Sequence, residues 1–466
     1  MRFKRLIGFL LVAVALSGCA ISNTFISYNS RSAKFKSAID HANESAVLVD
    51  LDKKRESKDV QLYMAERARV AQIAQMIDES IFDYKTVLEA IDVVDDKAKM
   101  TVTGGAAKAG SAMTNDSVIP YNMDSYEKIM VHHYQALNYI AKGQLEAASI
   151  EIRRANFLQS EALEAHTREL AKIEQEAQEK QIDMDKVNLD EKFSAMDSAI
   201  GAVKNSFQNA YTFYLSGLVF EASGSRNDAY IDFKKALEIN PENIYIQADV
   251  LRLARRLGMR EDLKRFQKAF GKEAELLAKG QGSVVVFYEE GYAPEKVERK
   301  ITLPTFSSAG IVSVAMPIYD FQWNAPSPVS ISINGSQAGE TQLVLALSAL
   351  AAKALKEEIP GMVVRQIVRA ITKSSMQSAA SKQNNFAGLA ATLINIATER
   401  ADLRAWSTLP SSVQISRHNL DAGEHLLEFG RNGIVETLNV NVIPGRTSLV
   451  YITNTGMRQV TRTYSI

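Results

Sequence analysis

The sequence predicts an α+β chain, an N-terminal all-α solenoid of helical hairpins followed by an antiparallel β-sandwich-like domain with a helical insertion. Three observations lead there. Residues 210–242 space small and aromatic residues as two closely packed antiparallel helices require. The same spacing returns more weakly at 126–155 and 244–270. Beyond residue 282 the apolar period changes from about 3.6 to about 2, the signature of helix giving way to strand.

Composition bounds the function classes first. The 466 residues are 46% apolar and 23% charged, the profile of a globular chain of several domains. Lys+Arg and Asp+Glu both number 54, so no global field favours nucleic acid, and no nucleic-acid partner is expected. Arg2, Lys4 and Arg5 precede an apolar run over 6–16 that ends in Leu16-Ser17-Gly18-Cys19. The run has signal-peptide length and is too short for a permanent span. Its end resembles the bacterial lipobox. That resemblance implies a signal peptide over 1–18, a lipidated Cys19 and a tether over 19–31. In such signals the Cys thiol is diacylated and its new amine acylated, and several chains anchor stably where one is marginal. Ala20 stands where an Asp would favour inner-membrane retention, so the expected location is the outer membrane, facing the periplasm. With one cysteine, already assigned to lipid, neither an intrachain disulfide nor a thiol nucleophile is expected.

The helical part is expected over 32–270. In 32–92, apolar clusters follow 3- and 4-residue spacing without a compelling repeat register. Residues 97–120 are rich in Gly, Ala, Ser and Thr and read as a loop; Gly104-Gly105 lacks the Gly-Lys-Ser/Thr ending of a phosphate loop. The best hairpin is 210–242, where Phe213, Gly217, Phe220, Ala229, Phe233, Ala236 and Pro241 keep a tetratricopeptide-like register; only Ser216 stands where Leu is usual. Gly217 and Ala229 let the helices approach, and Gly224 marks the turn. In 126–155, Ala136, Tyr139, Gly143, Ala148, Ile152 and Ala155 keep that register, with His132 and Gln135 at the usually bulky positions. A charged helical arm over 159–204 reads as a solvated face or a partner-binding arm. The third hairpin, 244–270, turns at Gly258. Three or more hairpins are what a solenoid needs to bury a continuous core. Its expected partner-binding groove is lined by Tyr139, His132, Phe220 and Phe213, with His133 facing water.

A linker over 271–282 leads to the β-rich domain, 283–466. Strands are read at 283–289, 296–306, 311–319, 328–334, 411–417, 424–429, 435–443, 448–453 and 459–464. The helical insertion spans 340–402, its Ala-rich stretches 343–352 and 386–397 packing on the sheet or touching the bilayer. Trp323 and Trp406 flank it and read as anchors of the sandwich.

Motifs for chemistry are scarce. The six histidines have no zinc-site spacing, so no metal is expected, nor any cofactor. Gly335-Ser336-Gln337-Ala338-Gly339 has its Ser out of place for a hydrolase elbow and reads as a turn. Adjacent carboxylates such as Glu289-Glu290 face opposite sides of a strand. No enzyme activity is therefore expected; the alternative is a cell-wall-active enzyme drawing carboxylates from separate elements. Arg365, Arg369 and Lys373 share a helical face and read as an anion-binding patch or a solvated one.

The lipobox, the two hairpins with Tyr126-Glu127-Lys128 ahead of the first, and the run Ala401-Asp402-Leu403-Arg404-Ala405-Trp406 together resemble bacterial tetratricopeptide-repeat-containing outer-membrane lipoproteins. That family looks associated with activators of peptidoglycan synthases. The resemblance implies a lipid-anchored periplasmic scaffold in cell-envelope biogenesis, with a periplasmic or envelope protein partner, peptidoglycan and, through its lipid, the membrane as contacts. A secretion or lipid-transport accessory is the further alternative.

Overall fold

The computed structural model describes residues 27–101, 119–179, 182, 188–201, 203, 205–304, 311–383, 400–431 and 434–466. Cys19 with the signal, most of the loop at 97–120, the 386–397 stretch and part of the arm lie outside them.

Twelve α-helices precede the first strand among the described residues. They are α1 (Tyr28–Asp40), α2 (Glu44–Asp52), α3 (Val60–Ile73), α4 (Ile77–Thr101), α5 (Ser125–Ala141), α6 (Leu145–Glu179), α7 (Leu189–Phe193), α8 (Asp197–Ile200), α9 (Ala210–Ala222), α10 (Arg226–Ile239), α11 (Ile244–Arg256) and α12 (Arg260–Phe270). Five pairs close with one turn. Asn43 N–H donates to Ala38 O, Met76 to Ala71, Gln144 to Tyr139, Ser225 to Phe220 and Met259 to Ala254, at 2.8–2.9 Å. The residue before each donor has positive φ: Ala42, Gln75, Gly143, Gly224 and Gly258. This is the Schellman closure, which satisfies the last carbonyls of the first helix. The hairpins over 28–52 and 60–101 thus join the three expected ones; at their turns Ala42 and Gln75 occupy the place glycine takes elsewhere.

Inside the best hairpin, a Cβ on Gly217 would lie 2.6 Å from the Phe233 ring, so only glycine allows that approach. Ser216, the departure from the pattern, donates to Asp232 and accepts from Asn156 at 2.9 Å, tying α6, α9 and α10 together. The long α6 carries the charged arm. Its Ile173 packs beside Gly361, and Asp197 pairs with Lys356, so the arm docks on the chain's own insertion helix rather than standing free.

Eleven strands follow among the described residues. They are β1 (Gln281–Glu290), β2 (Val297–Pro304), β3 (Ile311–Ile318), β4 (Ser330–Ile333), β5 (Ser336–Glu340), β6 (Gln342–Leu345), β7 (Ser412–Asp421), β8 (Gly423–Arg431), β9 (Ile434–Val442), β10 (Thr447–Asn454) and β11 (Gln459–Ser465). A helix α13 (Leu347–Gln383) lies between β6 and β7. One sheet has the order β11-β10-β1-β7-β6, a second β5-β4-β8-β9, and β2-β3 form a ribbon. The expectation of a purely antiparallel sandwich is corrected: β1 and β10 run parallel, Ser283 opposite Thr447 through Glu290 opposite Asn454. Two strands were missed: β5 was read as part of a turn, and β6 as part of the insertion.

β1 explains the layering. Its Ser283-Val-Val-Val-Phe-Tyr run is buried on both faces, as a central covered strand requires. Val284, Val286 and Tyr288 pack against Ile331, Leu427, Phe429 and Val442 of the second sheet. Val285 and Phe287 face the helices, in one apolar cluster that extends from Tyr28 to Tyr451. The order is helices, five-stranded sheet, four-stranded sheet, with the hairpins and the strands sharing a core. Trp406 belongs to that core and not to the sandwich; its ring lies 6.1 Å from Tyr84 and 6.0 Å from Tyr134. Among the described residues, no helix is long and apolar enough to cross a membrane.

Candidate functional site

Helices and sheet meet along two charged seams. The first is closed. Arg69 on α3 pairs with Glu289 on β1, both fully buried, and Tyr134 donates to the same carboxylate at 2.9 Å. Tyr451 accepts from Arg69 at 3.0 Å, and the guanidinium lies over the Tyr134 ring at 4.2 Å. Burial, then the Glu289 charge, push the Tyr211 phenol well above its ordinary range, so it stays a neutral donor there. Glu66, also on α3, accepts five bonds: Tyr28 Oη, Ser407 N and Oγ at 2.7 Å, Thr408 N at 3.1 Å and Thr408 Oγ1 at 2.6 Å. Glu127 on α5 accepts from Tyr121 Oη at 2.6 Å, Asp124 N at 3.1 Å and Trp406 N at 2.9 Å. Burial and the Asp124 charge raise Glu127 to about 7. The Ala401–Trp406 run is therefore a strap clasped by helical carboxylates, completed by Arg404 bonding Asp402, Asp59 and the Ile119 carbonyl.

The second seam is open. It runs between the hairpin turns at Gly143 and Gly224, the α11 helix and the ends of β1, β10 and β11. A recess of about 470 Å³ there is lined by Arg226, Arg252, Arg256, Arg417 and Arg446, with Glu221 as the acidic side chain among them. Arg252 forks onto Glu221, donating from Nη2 at 2.7 Å, and onto Asp249 at 2.8 Å. Against the cost of burial, these bonds hold Glu221 down at about 2. Arg417 lies 2.9 Å from Asp249 and donates to Ser283 Oγ at 3.1 Å. Arg226, Arg256 and Arg446 are exposed, and their side chains pair with no described residue. Arg252 and Arg417 also wall a second recess of about 500 Å³, bounded by Tyr245, His418 and the β4–β5 turn at Ser336–Ala338. Burial lowers His418 to about 4, so its imidazole is neutral at pH 7.

No family model matches the sequence, and no curated protein matches it. Among solved structures, the crystal structure of MamA aligns over 52% of this chain and 92% of its own, at 10% identity and a TM-score of 0.27. A superposition that loose carries no weight for fold or function, and the solenoid rests on the five repeated turns.

The residues expected from the sequence sit differently. His132, Phe213 and Phe220 are 7%, 6% and 4% exposed, and Tyr139 is half-buried, so they fill hairpins and do not line an open groove. His132 Nδ1 meets Glu151 at 2.6 Å, while Arg153 covers Phe220 and Lys235 covers Phe213. His133 does not face water: it is fully buried against Tyr211, bonded to Thr212 at 3.1 Å, and burial lowers it to about 3. The expected anion patch also divides. Arg365 is exposed, Arg369 is buried beside Gln366, and the Lys373 side chain lies outside the described residues. No cluster of three metal-ligating side chains occurs among the described residues. The arginine recess escaped sequence reasoning because its members come from 226, 252, 256, 417 and 446, which only the fold assembles. The one local signal was Arg255-Arg256 ending α11.

Proposed function

We propose that the chain is a lipid-anchored scaffold that docks an acidic segment of a protein partner in the arginine recess. One observation carries this reading: three exposed arginines without partners open onto one cavity, in a chain whose net charge is zero. Guanidinium groups favour carboxylates through paired, charge-assisted bonds, and they do not exchange protons at neutral pH. The recess is thus suited to binding and not to acid–base chemistry. Arg252 and Arg417 stand behind the exposed three, fixed by Glu221 and Asp249, so the floor is already ordered before anything docks. The lipobox at Leu16–Cys19 supports an acylated Cys19 at the periplasmic side of the outer membrane, and the family resemblance supports envelope biogenesis as the setting.

Detergent-solubilised full-length protein titrated with a fluorescent ten-residue oligoglutamate reads the docking directly. Binding that weakens as salt rises, and that falls at least ten-fold in Arg226→Glu/Arg256→Glu/Arg446→Glu, is expected. Equal affinity for oligolysine, or no effect of the triple reversal, refutes it. Radiolabelled palmitate should enter the wild-type protein and miss Cys19→Ser; label absent from both removes the anchor.

A further inference from the structure

Helix α11 walls two recesses at once. Tyr245, Ala248 and Asp249 line the recess of about 500 Å³, Arg256 lines the arginine recess, and Arg252 between them lines both. Steps of three and four residues put these side chains on one helical face, so the two recesses lie end to end along it. The strands agree. Ser283 lines the arginine recess, Asn419 lines its neighbour, and the two stand directly opposite each other on β1 and β7. Such cross-strand partners are about 5 Å apart. Ser283 Oγ donates to Asn419 Oδ1 at 2.9 Å and accepts from Arg417 Nη2 at 3.1 Å, which closes the floor between the recesses.

The two ends differ in chemistry. In the neighbouring recess the arginines are already spent, Arg252 and Arg417 both lying on Asp249 at 2.8 and 2.9 Å. The Tyr245 hydroxyl donates to the Glu340 carbonyl at 2.6 Å, which fixes its ring, and the His418 ring stands edge-on to it at 6.2 Å. Ala248, Ile333, Ala338 and Leu420 add apolar surface. Glu275, exposed in the same lining, repels a further carboxylate. One end of the trough therefore suits carboxylates and the other an uncharged ring, which buries more apolar area than any other single side chain.

We propose that the docked partner segment carries an aromatic residue beside its acidic run, and that this residue fills the recess at Tyr245; the inference rests on acidic docking in the arginine recess. The helix sets the spacing. From Tyr245 to Arg256 it rises about 16 Å at 1.5 Å per residue, so an extended segment reaches from one end to the other within about five positions.

The test uses detergent-solubilised full-length protein and fluorescent peptides with a run of glutamates and one tryptophan three positions before or after it. The controls carry serine in place of the tryptophan. At least one tryptophan peptide should bind ten-fold or more tighter than its serine counterpart. That advantage should persist as salt rises, because apolar burial is not screened. Ala248→Trp, which fills the recess from an exposed position on α11, should make the two peptides bind alike. Ala338→Trp fills it from the strand side and repeats the test should the helical variant fail to fold. Equal binding of tryptophan and serine peptides to the wild type overturns this inference and leaves acidic docking standing. A tryptophan advantage that survives both fillings also overturns it, and binding of neither peptide removes both readings.

Discussion

The closed seam and the arginine recess are built from similar charges at the same junction of helices and sheet, and they handle them oppositely. In the closed seam Arg69 and Glu289 are inaccessible, and each has several partners. In the recess Arg226, Arg256 and Arg446 are wet and unpartnered. A buried charge is stable only inside a full set of bonds, so the first arrangement is committed to holding the fold. An exposed arginine loses little by standing alone and keeps its fork free. The contrast separates the fastener from the docking surface.

The sharpest way to break the comparison is at Arg69. Arg69→Met leaves Glu289 buried without its cation and should cost about 3–5 kcal/mol in urea unfolding. Arg69→Met/Glu289→Leu, which removes both charges, should recover part of that loss. Equal loss in the single and double variants would mean that packing, not charge, decides the seam.

His133 gives the same seam a pH dependence. Burial, and secondarily the Arg69 charge, hold its folded value near 3 against the ordinary 6.5 of a histidine, so the unfolded chain takes up the proton first. The stability it contributes is complete above 6.5 and falls as pH drops towards 3, by up to about 1.4 kcal/mol per unit. A His133→Asn variant should lose stability less steeply between pH 6.5 and 5, read from melting temperatures in matched buffers.

Glu66→Gln is a smaller change at the strap. The amide nitrogen would replace one carboxylate oxygen and face either the Ser407 or the Thr408 backbone N–H, a donor-to-donor contact that should cost about 1–3 kcal/mol. A thermal melt with the wild-type midpoint would show that the strap does not depend on that carboxylate.

How much of this was legible beforehand follows the range of the interactions. The 210–242 hairpin was readable because Gly217, Phe220, Ala229 and Phe233 act within one short segment. The period-2 runs located most strands for the same reason. The first two hairpins were hidden because their turns put Ala42 and Gln75 at positive φ, where the glycine signal is missing. The parallel β1–β10 pair joins residues more than 160 apart, Ser283 and Thr447, and nothing local encodes its direction. His132, Phe213 and Phe220 read as a partner-binding groove from their places in the hairpin register, but they fill hairpin interiors, and an interior that is already filled offers no groove. The Ala401–Trp406 run showed a resemblance and not a role; Glu66 and Glu127, its clasps, lie far upstream.

The smallest expected effect on stability is the most informative about function. Reversing Arg226, Arg256 and Arg446 removes no described bond, so the unfolding free energy should move by less than about 0.5 kcal/mol per site. Binding should change far more, because three cations facing one acidic segment act together, and reversal makes each repulsive. The salt slope of oligoglutamate binding should flatten in step with each arginine reversed. If stability fell instead, these arginines would belong with the closed seam, and the division between fastener and docking surface would fail at the three side chains that define it.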